Sequence, residues 1–169
     1  MTTRIVLTGS ESTGKTTLAR ELAAHYGATW CGEYVRDYLA VKGSLDSADV
    51  EPIALGQLAL QNAANGPLVI HDTDLLSTVV YARHYYGDVA EWIVRAARAR
   101  RPALYLLMDI DVPWVADPQR DRGHMRETMH ALFRDALEEL GAPYVVVSGD
   151  WETRRRRAIA AVDALRAAS

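Results

Sequence analysis

Apolar positions along this chain follow two alternating rhythms. Arg4-Ile-Val-Leu-Thr8, Leu68-Val-Ile70, Ala103-Leu-Tyr-Leu-Leu-Met108 and Tyr144-Val-Val-Val-Ser148 are short, nearly unbroken apolar runs. Such runs predict strands covered on both faces. Ala28-Thr-Trp-Cys31 predicts a further short strand. Between the runs, apolar residues recur every three or four positions, which lines one face of a helix. Leu18, Ala19, Leu22 and Ala23 predict a helix over Thr16 to Tyr26, stopped by Gly27. Ile53, Leu55, Leu58, Ala59 and Leu60 predict another over Asp49 to Asn65. Tyr34 to Lys42 predicts a helix ending at Gly43, and Asp74 to Tyr86 and Val89 to Arg101 a helical pair broken at Gly87-Asp88. An irregular charged stretch, Asp109 to Gly123, precedes helices expected up to Leu140 and from about Trp151 to Ala168. Strands separated by helices imply right-handed crossovers, so the expected fold is an α/β three-layer sandwich around a five-stranded, mostly parallel sheet.

Composition narrows the picture little. The chain has 169 residues, 49% apolar and 24% charged, which excludes disorder and predicts one domain over residues 1–169. No apolar run approaches the roughly 20 residues of a membrane span. A net charge of −3 argues against a general nucleic-acid binder. A lone cysteine, Cys31, and no secretory leader pattern predict a cytoplasmic protein. Cys31 and the five histidines read as structural or surface groups. Lysine is scarce: Lys15 and Lys42 stand among 19 basic residues, which draws attention to Lys15.

Lys15 lies in the segment Gly9-Ser10-Glu11-Ser12-Thr13-Gly14-Lys15-Thr16-Thr17, which fits the G-x-x-x-x-G-K-[ST] phosphate loop. A strand precedes it and a helix follows, as the chemistry requires. Glycines let successive N–H groups surround phosphate oxygens, and the helix start adds its positive end. Lys15 is expected on the β- and γ-phosphates and Thr16 on Mg²⁺. A guanine-reading Asn-Lys-x-Asp element is missing, and the third strand lacks a ring ATPase's paired Asp-Glu. Small-molecule kinases combine a phosphate loop with an acid for a substrate hydroxyl, an acid near Mg²⁺ and an arginine-bearing lid. Candidates follow the strands: Glu33 after the second, Asp72 and Asp74 after the third, and Arg120, Arg122 and Arg126 after the fourth.

Together, several segments resemble the nicotinamide riboside kinase domain of the NadR family. They are the Glu11-Ser12 form of the loop, Glu33-Tyr-Val-Arg-Asp-Tyr38, Asp72-Thr-Asp74 and Pro113-Trp-Val-Ala-Asp-Pro-Gln-Arg120. The resemblance implies a nucleoside- or adenylate-kinase-like fold with a lid near residues 111–126. It implies transfer of the ATP γ-phosphoryl group to the ribosyl 5′-hydroxyl of nicotinamide riboside, with Mg²⁺. Lys15, Glu33, Asp72, Arg120 and Arg122 would be catalytic. Residues Gly9 to Thr17, with Arg126, would hold ATP, and Thr16 and Asp72 the metal. Glu33, Tyr34, Arg36, Asp74, Trp114 and Asp117 would face the nucleoside. The adenylyltransferase and DNA-binding portions of some NadR proteins are expected to have no counterpart.

Three departures stand out. Gly32, and Ala63 with Ala64, lack aromatics that the family's base-stacking sites lead one to expect, and Pro118 replaces a lid glycine. Trp30, Tyr34 and Trp114 are the aromatics available to substitute. Phosphate chemistry therefore reads as kept and base recognition as altered. The alternatives are a kinase for another nucleoside or hydroxyl metabolite, or a nucleotide-binding switch without transfer. Either a monomer or a homodimer fits. Trp151 or Arg155 is a candidate for the adenine ring, while Arg154 to Arg157 read as a mainly solvated run.

Overall fold

The computed structural model describes residues 1–112 and 125–169. Its strands are β1 (Thr3–Thr8), β2 (Thr29–Cys31), β3 (Leu68–Asp72), β4 (Leu104–Met108) and β5 (Tyr144–Val147). They pair in parallel in the order β2-β3-β1-β4-β5. The helices are α1 (Lys15–Tyr26), α2 (Tyr34–Lys42), α3 (Val50–Ala63), α4 (Leu75–Tyr86), α5 (Glu91–Ala99), α6 (Arg126–Leu140) and α7 (Trp151–Ala167).

Side-chain alternation along the strands separates two cores. Ile5, Leu7, Ile70 and Leu106 pack with Leu18 and Leu22 of α1 and Val162 of α7. On the other face Val6, Tyr105 and Leu107 meet Leu76 and Val80 of α4 and Phe133 of α6. A third cluster, with Ala54, Leu75, Val79 and Ile93, joins α3, α4 and α5. The expected elements are present, with two informative shifts. β3 runs on through His71 and Asp72, because register against β1 (Val6 with His71, Leu7 with Asp72) carries both polar residues into the sheet. A 3₁₀ turn, Ser47–Asp49, precedes α3; there the Asp49 carboxylate binds Lys42 Nζ at 2.6 and 2.7 Å and accepts from Tyr38 Oη at 2.6 Å. Lys42 thus ties α2 to the start of α3.

The solvated reading of Arg154 is overturned. α7 starts at an Asp150 cap that accepts from the Thr153 N–H at 2.8 Å. That frame puts Arg154 on the inward stripe with Ala158 and Val162, and its side chain is fully buried. Cys31 is buried as expected, and burial followed by the nearby Asp72 charge pushes its thiol up to about 11.

Asp74 has a role the sequence did not show. Between the two acids Thr73 adopts φ 70°, a left-handed conformation unusual for a β-branched residue. Asp74 is therefore turned into the protein, where it caps α4 through the Leu76 N–H at 3.0 Å and accepts from Tyr105 Oη at 2.6 Å. Burial pushes its carboxyl up to about 6, outweighing these hydrogen bonds and the nearby Arg4 and Arg100. A raised folded-state value means that Asp74 favours folding below its unfolded value near 4. That contribution is lost as pH rises to about 6. Asp74→Asn should therefore gain stability relative to wild type between about pH 4 and 6, by roughly 1–3 kcal/mol, and hold a constant difference above. Urea melts of both proteins across that range check the sign. A difference independent of pH would mean that Asp74 ionises normally.

Candidate active site

The connections after β1 and β3 leave neighbouring strands for opposite sides of the sheet, which opens a crevice at their C-terminal ends. Gly9 begins the loop there at φ 130°, and a Cβ on it would lie 3.0 Å from the Met108 carbonyl oxygen. Gly14 caps α1 at φ 84° without a side-chain hydrogen bond, so no side chain occupies the first N–H groups of the helix. A Cβ on Gly14 would lie 2.8 Å from the Trp151 ring, which packs against the loop's end. Arg155, the other adenine candidate, lies 3.8 Å from Glu21 of α1. Inside the loop Lys15 Nζ donates to the Gly9 and Ser10 carbonyls at 3.0 and 2.7 Å, and Thr13 Oγ1 to Ser10 at 2.9 Å.

Thr16 and Asp72 meet. Thr16 Oγ1 donates to Asp72 Oδ2 at 2.5 Å, joining the first turn of α1 to the end of β3. Asp72 Oδ1 is buried without a hydrogen-bond partner. A bare, buried carboxylate oxygen beside a hydroxyl is a hard-oxygen donor set that suits Mg²⁺. No cluster of three His, Cys, Asp or Glu able to hold a metal occurs among the described residues.

Beside this pair lies an open cleft of about 850 Å³. Gly9, Glu11 and Lys15 line its loop end, and Glu33, Arg36, Val50, Ile53, Ser77 and Thr78 line its walls. Glu33 occupies the cap position of α2 but makes no side-chain capping bond, and its carboxylate lies 3.9 Å from Arg36.

Other expected acceptor contacts are not brought to the cleft. Asp74 is the buried cap described above. Tyr34 lies against α3, where a Cβ on Gly56 would fall 2.0 Å from its ring, and its N–H donates to Gln57 at 2.9 Å. Gly32 faces Trp30: an added Cβ would sit 2.9 Å from that indole, which stacks under Arg20 at 4.5 Å. Ala63 ends α3 at the opposite rim, beside Asn65, whose carbonyl accepts from Thr29 at the start of β2. An aromatic at Ala63 would thus not reach the cleft. Trp114, Asp117, Arg120 and Arg122, with most of the expected lid, lie outside the described residues. Arg126 opens α6, mostly buried; its Nη1 donates to the Val112 carbonyl at 2.7 Å, while Nε and Nη2 have no hydrogen-bond partner among the described residues.

Among the described residues, the cleft's aromatic lining comes from α4. Tyr81 and Tyr85 stack nearly parallel, 7° apart with centroids at 5.9 Å, and Tyr86 lies alongside. Their i, i+4 spacing was the signal available in the sequence.

A strand–loop–helix phosphate cradle is common to many proteins; its link to Asp72 beside an open cleft makes this a P-loop nucleotide-binding domain. The match to known sequences is specific. The chain belongs to the AAA domain family, whose model matches residues 4–154. It is 29% identical over 166 residues to the trifunctional NAD biosynthesis/regulator protein NadR of Escherichia coli strain K12, covering 92% of this chain and 40% of that protein. The chain thus spans less than half of this curated relative. A crystal structure of a NadR protein in complex with NR superposes with a TM-score of 0.80 at 27% identity, covering 95% of this chain and 50% of that one. A NadR structure with NAD and AMP-PNP gives 0.73 at 26% identity, covering 95% and 48%.

The geometry separates two acids. If Asp72 holds Mg²⁺ as expected, Asp72→Asn should depress turnover strongly and shift the Mg²⁺ dependence to higher concentration. Glu33→Gln keeps hydrogen bonding without charge and should raise acceptor KM and lower kcat while Mg²⁺ dependence stays put. Steady-state titrations of Mg²⁺ and acceptor decide. If Glu33→Gln alone moves the Mg²⁺ curve, the two roles are exchanged.

Proposed function

We propose that the chain is an ATP-dependent nicotinamide riboside kinase, giving nicotinamide mononucleotide. The observation that carries this reading is the single cleft shared by the phosphate loop, through Gly9, Glu11 and Lys15, and by Glu33. One end suits a nucleoside triphosphate and the other a hydroxyl-bearing acceptor. The likeness to NadR proteins bound to NR and to an ATP analogue supports the choice of both substrates.

In this reading the acceptor's 5′-hydroxyl attacks the γ-phosphorus in line, and the bond to the β–γ bridging oxygen breaks. Glu33 orients the hydroxyl and accepts its proton late, as a loose transition state allows. Lys15 offsets the charge that grows between the β- and γ-phosphates. Thr16 and Asp72 would hold Mg²⁺, which neutralises phosphate charge when bound. Arg120 and Arg122 would act from the lid, and Arg126 on ATP. A cytoplasmic location and a single domain over residues 1–169 belong to the same proposal. No helix among the described residues is long and apolar enough to cross a membrane.

The test is turnover of Mg·ATP with and without a panel of nucleosides. Phosphorylation of nicotinamide riboside is expected, and Lys15→Ala should cut it by about two orders of magnitude or more without unfolding the chain. Tight nucleotide binding without transfer to any acceptor would refute the kinase in favour of a switch module. Preference for another nucleoside would move the acceptor and keep the chemistry. The α4 wall gives a second check. Stacking of a cationic ring on an aromatic face contributes about 0.5–2 kcal/mol. Tyr85→Ala should accordingly raise the KM for nicotinamide riboside roughly twofold to thirtyfold and leave ATP KM unchanged, while Tyr85→Phe stays near wild type. Equal KM values for Ala and wild type would remove Tyr85 from the acceptor site.

A further inference from the structure

Arg154 is a fully buried guanidinium placed where three segments of the sheet's C-terminal rim converge. Its Nη1 donates to the Thr13 carbonyl of the phosphate loop at 3.3 Å. Its Nη2 donates to the Asp109 carbonyl at 3.0 Å and binds Asp111 Oδ1. Its Nε donates to the Gly149 carbonyl at 2.8 Å. Asp111 completes the brace by accepting the Gly149 N–H on its other oxygen at 2.7 Å. One side chain thereby fastens the phosphate loop to the segment after β4 and to the turn before α7.

The arrangement is not explained by packing. Burying a guanidinium is costly when its donors are left unsatisfied, and an apolar side chain of similar volume would fill the same space without that demand. What the guanidinium supplies is direction: a planar fork that fixes several acceptors relative to one another. Thr13 is itself buried and ties back to the Ser10 carbonyl through its hydroxyl, so a force on its carbonyl reaches the backbone that would face phosphate. A phosphate loop acts through N–H groups whose placement has to hold to within a fraction of an ångström.

We propose that Arg154, braced by Asp111, is a positioning residue for ATP: it holds the Thr13 carbonyl so that the loop's N–H groups are set for the nucleotide's phosphates. The inference deepens the kinase reading and rests on it for the catalytic step. Among the described residues its hydrogen bonds reach the phosphate loop, the Asp109–Asp111 segment and Gly149, so its effect is expected on ATP and not on the acceptor.

The test uses the full chain as wild type, Arg154→Met, Arg154→Lys and Asp111→Asn. It compares ATP KM, acceptor KM and kcat, together with calorimetric titration of Mg²⁺ and AMP-PNP, which reads binding without transfer. Arg154→Met should raise ATP KM and the AMP-PNP Kd about tenfold or more and lower kcat, with acceptor KM within twofold. Arg154→Lys, which keeps the charge but not the fork, should recover part of the loss. Asp111→Asn alters a partly exposed side chain, so the fold survives, and it should move the same constants the same way by about threefold. A lower melting temperature with unchanged AMP-PNP affinity would reduce Arg154 to packing and overturn the proposal, as would equal rises in ATP and acceptor KM. If Arg154→Met does not fold, Asp111→Asn decides: unchanged ATP-side constants overturn it. A wild-type chain that binds AMP-PNP but phosphorylates no acceptor refutes the kinase reading, while the Arg154 comparison by calorimetry still stands.

Discussion

The parallel pairing of β1 with β3 is the constraint on which the cleft depends. Because Leu7 faces Asp72 across that pair, the acid ending β3 stands beside the turn into the phosphate loop. Thr16, in the first turn of α1, then reaches its carboxylate at 2.5 Å. The two strands continue to opposite faces, so the groove between them is a consequence of topology and requires no special loop. A carboxylate buried with one oxygen bare is disfavoured unless a donor or cation completes it. The fold accepts that disadvantage at the place where a metal and phosphate would relieve it. Moving the β1–β3 register by one residue would turn Asp72 to the other face of the sheet and separate it from Thr16.

The phosphate half of the site was legible because backbone geometry does most of its work, and such geometry dictates residue types at fixed spacing. Gly9 and Gly14 are needed where their φ values and close neighbours exclude a side chain, and the strand–loop–helix frame could be read around them. Asp72 followed from its place at a strand end. Asp74 did not, because two acids two residues apart look equivalent until the turn at Thr73 sends the second into the core. Arg154 was hidden for a similar reason. In a run of four arginines, the one that points inward is set by where the helix begins, and that frame comes from the Asp150 cap. Ala63 misled through length: the 14 residues of α3 span about 21 Å and carry its last turn to the far rim.

Acceptor recognition was the least legible part, and the reason is physical. Phosphates are gripped mainly by one continuous loop, whereas the opposite wall is assembled from α2, α3 and α4, which only tertiary packing brings together. Trp30 fills the space that a side chain at Gly32 would claim, and Tyr34 is spent on the α2–α3 contact over Gly56. Among the described residues, the aromatic face on the groove is the stacked Tyr81–Tyr85 pair, with Tyr86 beside it. A local motif cannot announce such a wall, because its members share a helix face and nothing else.

Two buried charges near this rim are managed in opposite ways, and the contrast explains what each can do. A carboxylic acid can shed its charge by binding a proton, and burial pushes Asp74 toward that solution, at about 6. Asp74 can therefore serve as a cap inside the core with few partners, though its contribution varies with pH. A guanidinium has no such escape at ordinary pH, so burying it is costly wherever acceptors do not surround it. Around Arg154 those acceptors are carbonyls of Thr13, Asp109 and Gly149 and the carboxylate of Asp111, drawn from three separate segments. Satisfying the charge thus forces those segments into one arrangement, so the requirement that makes a buried arginine expensive also makes it a rigid brace for the phosphate loop.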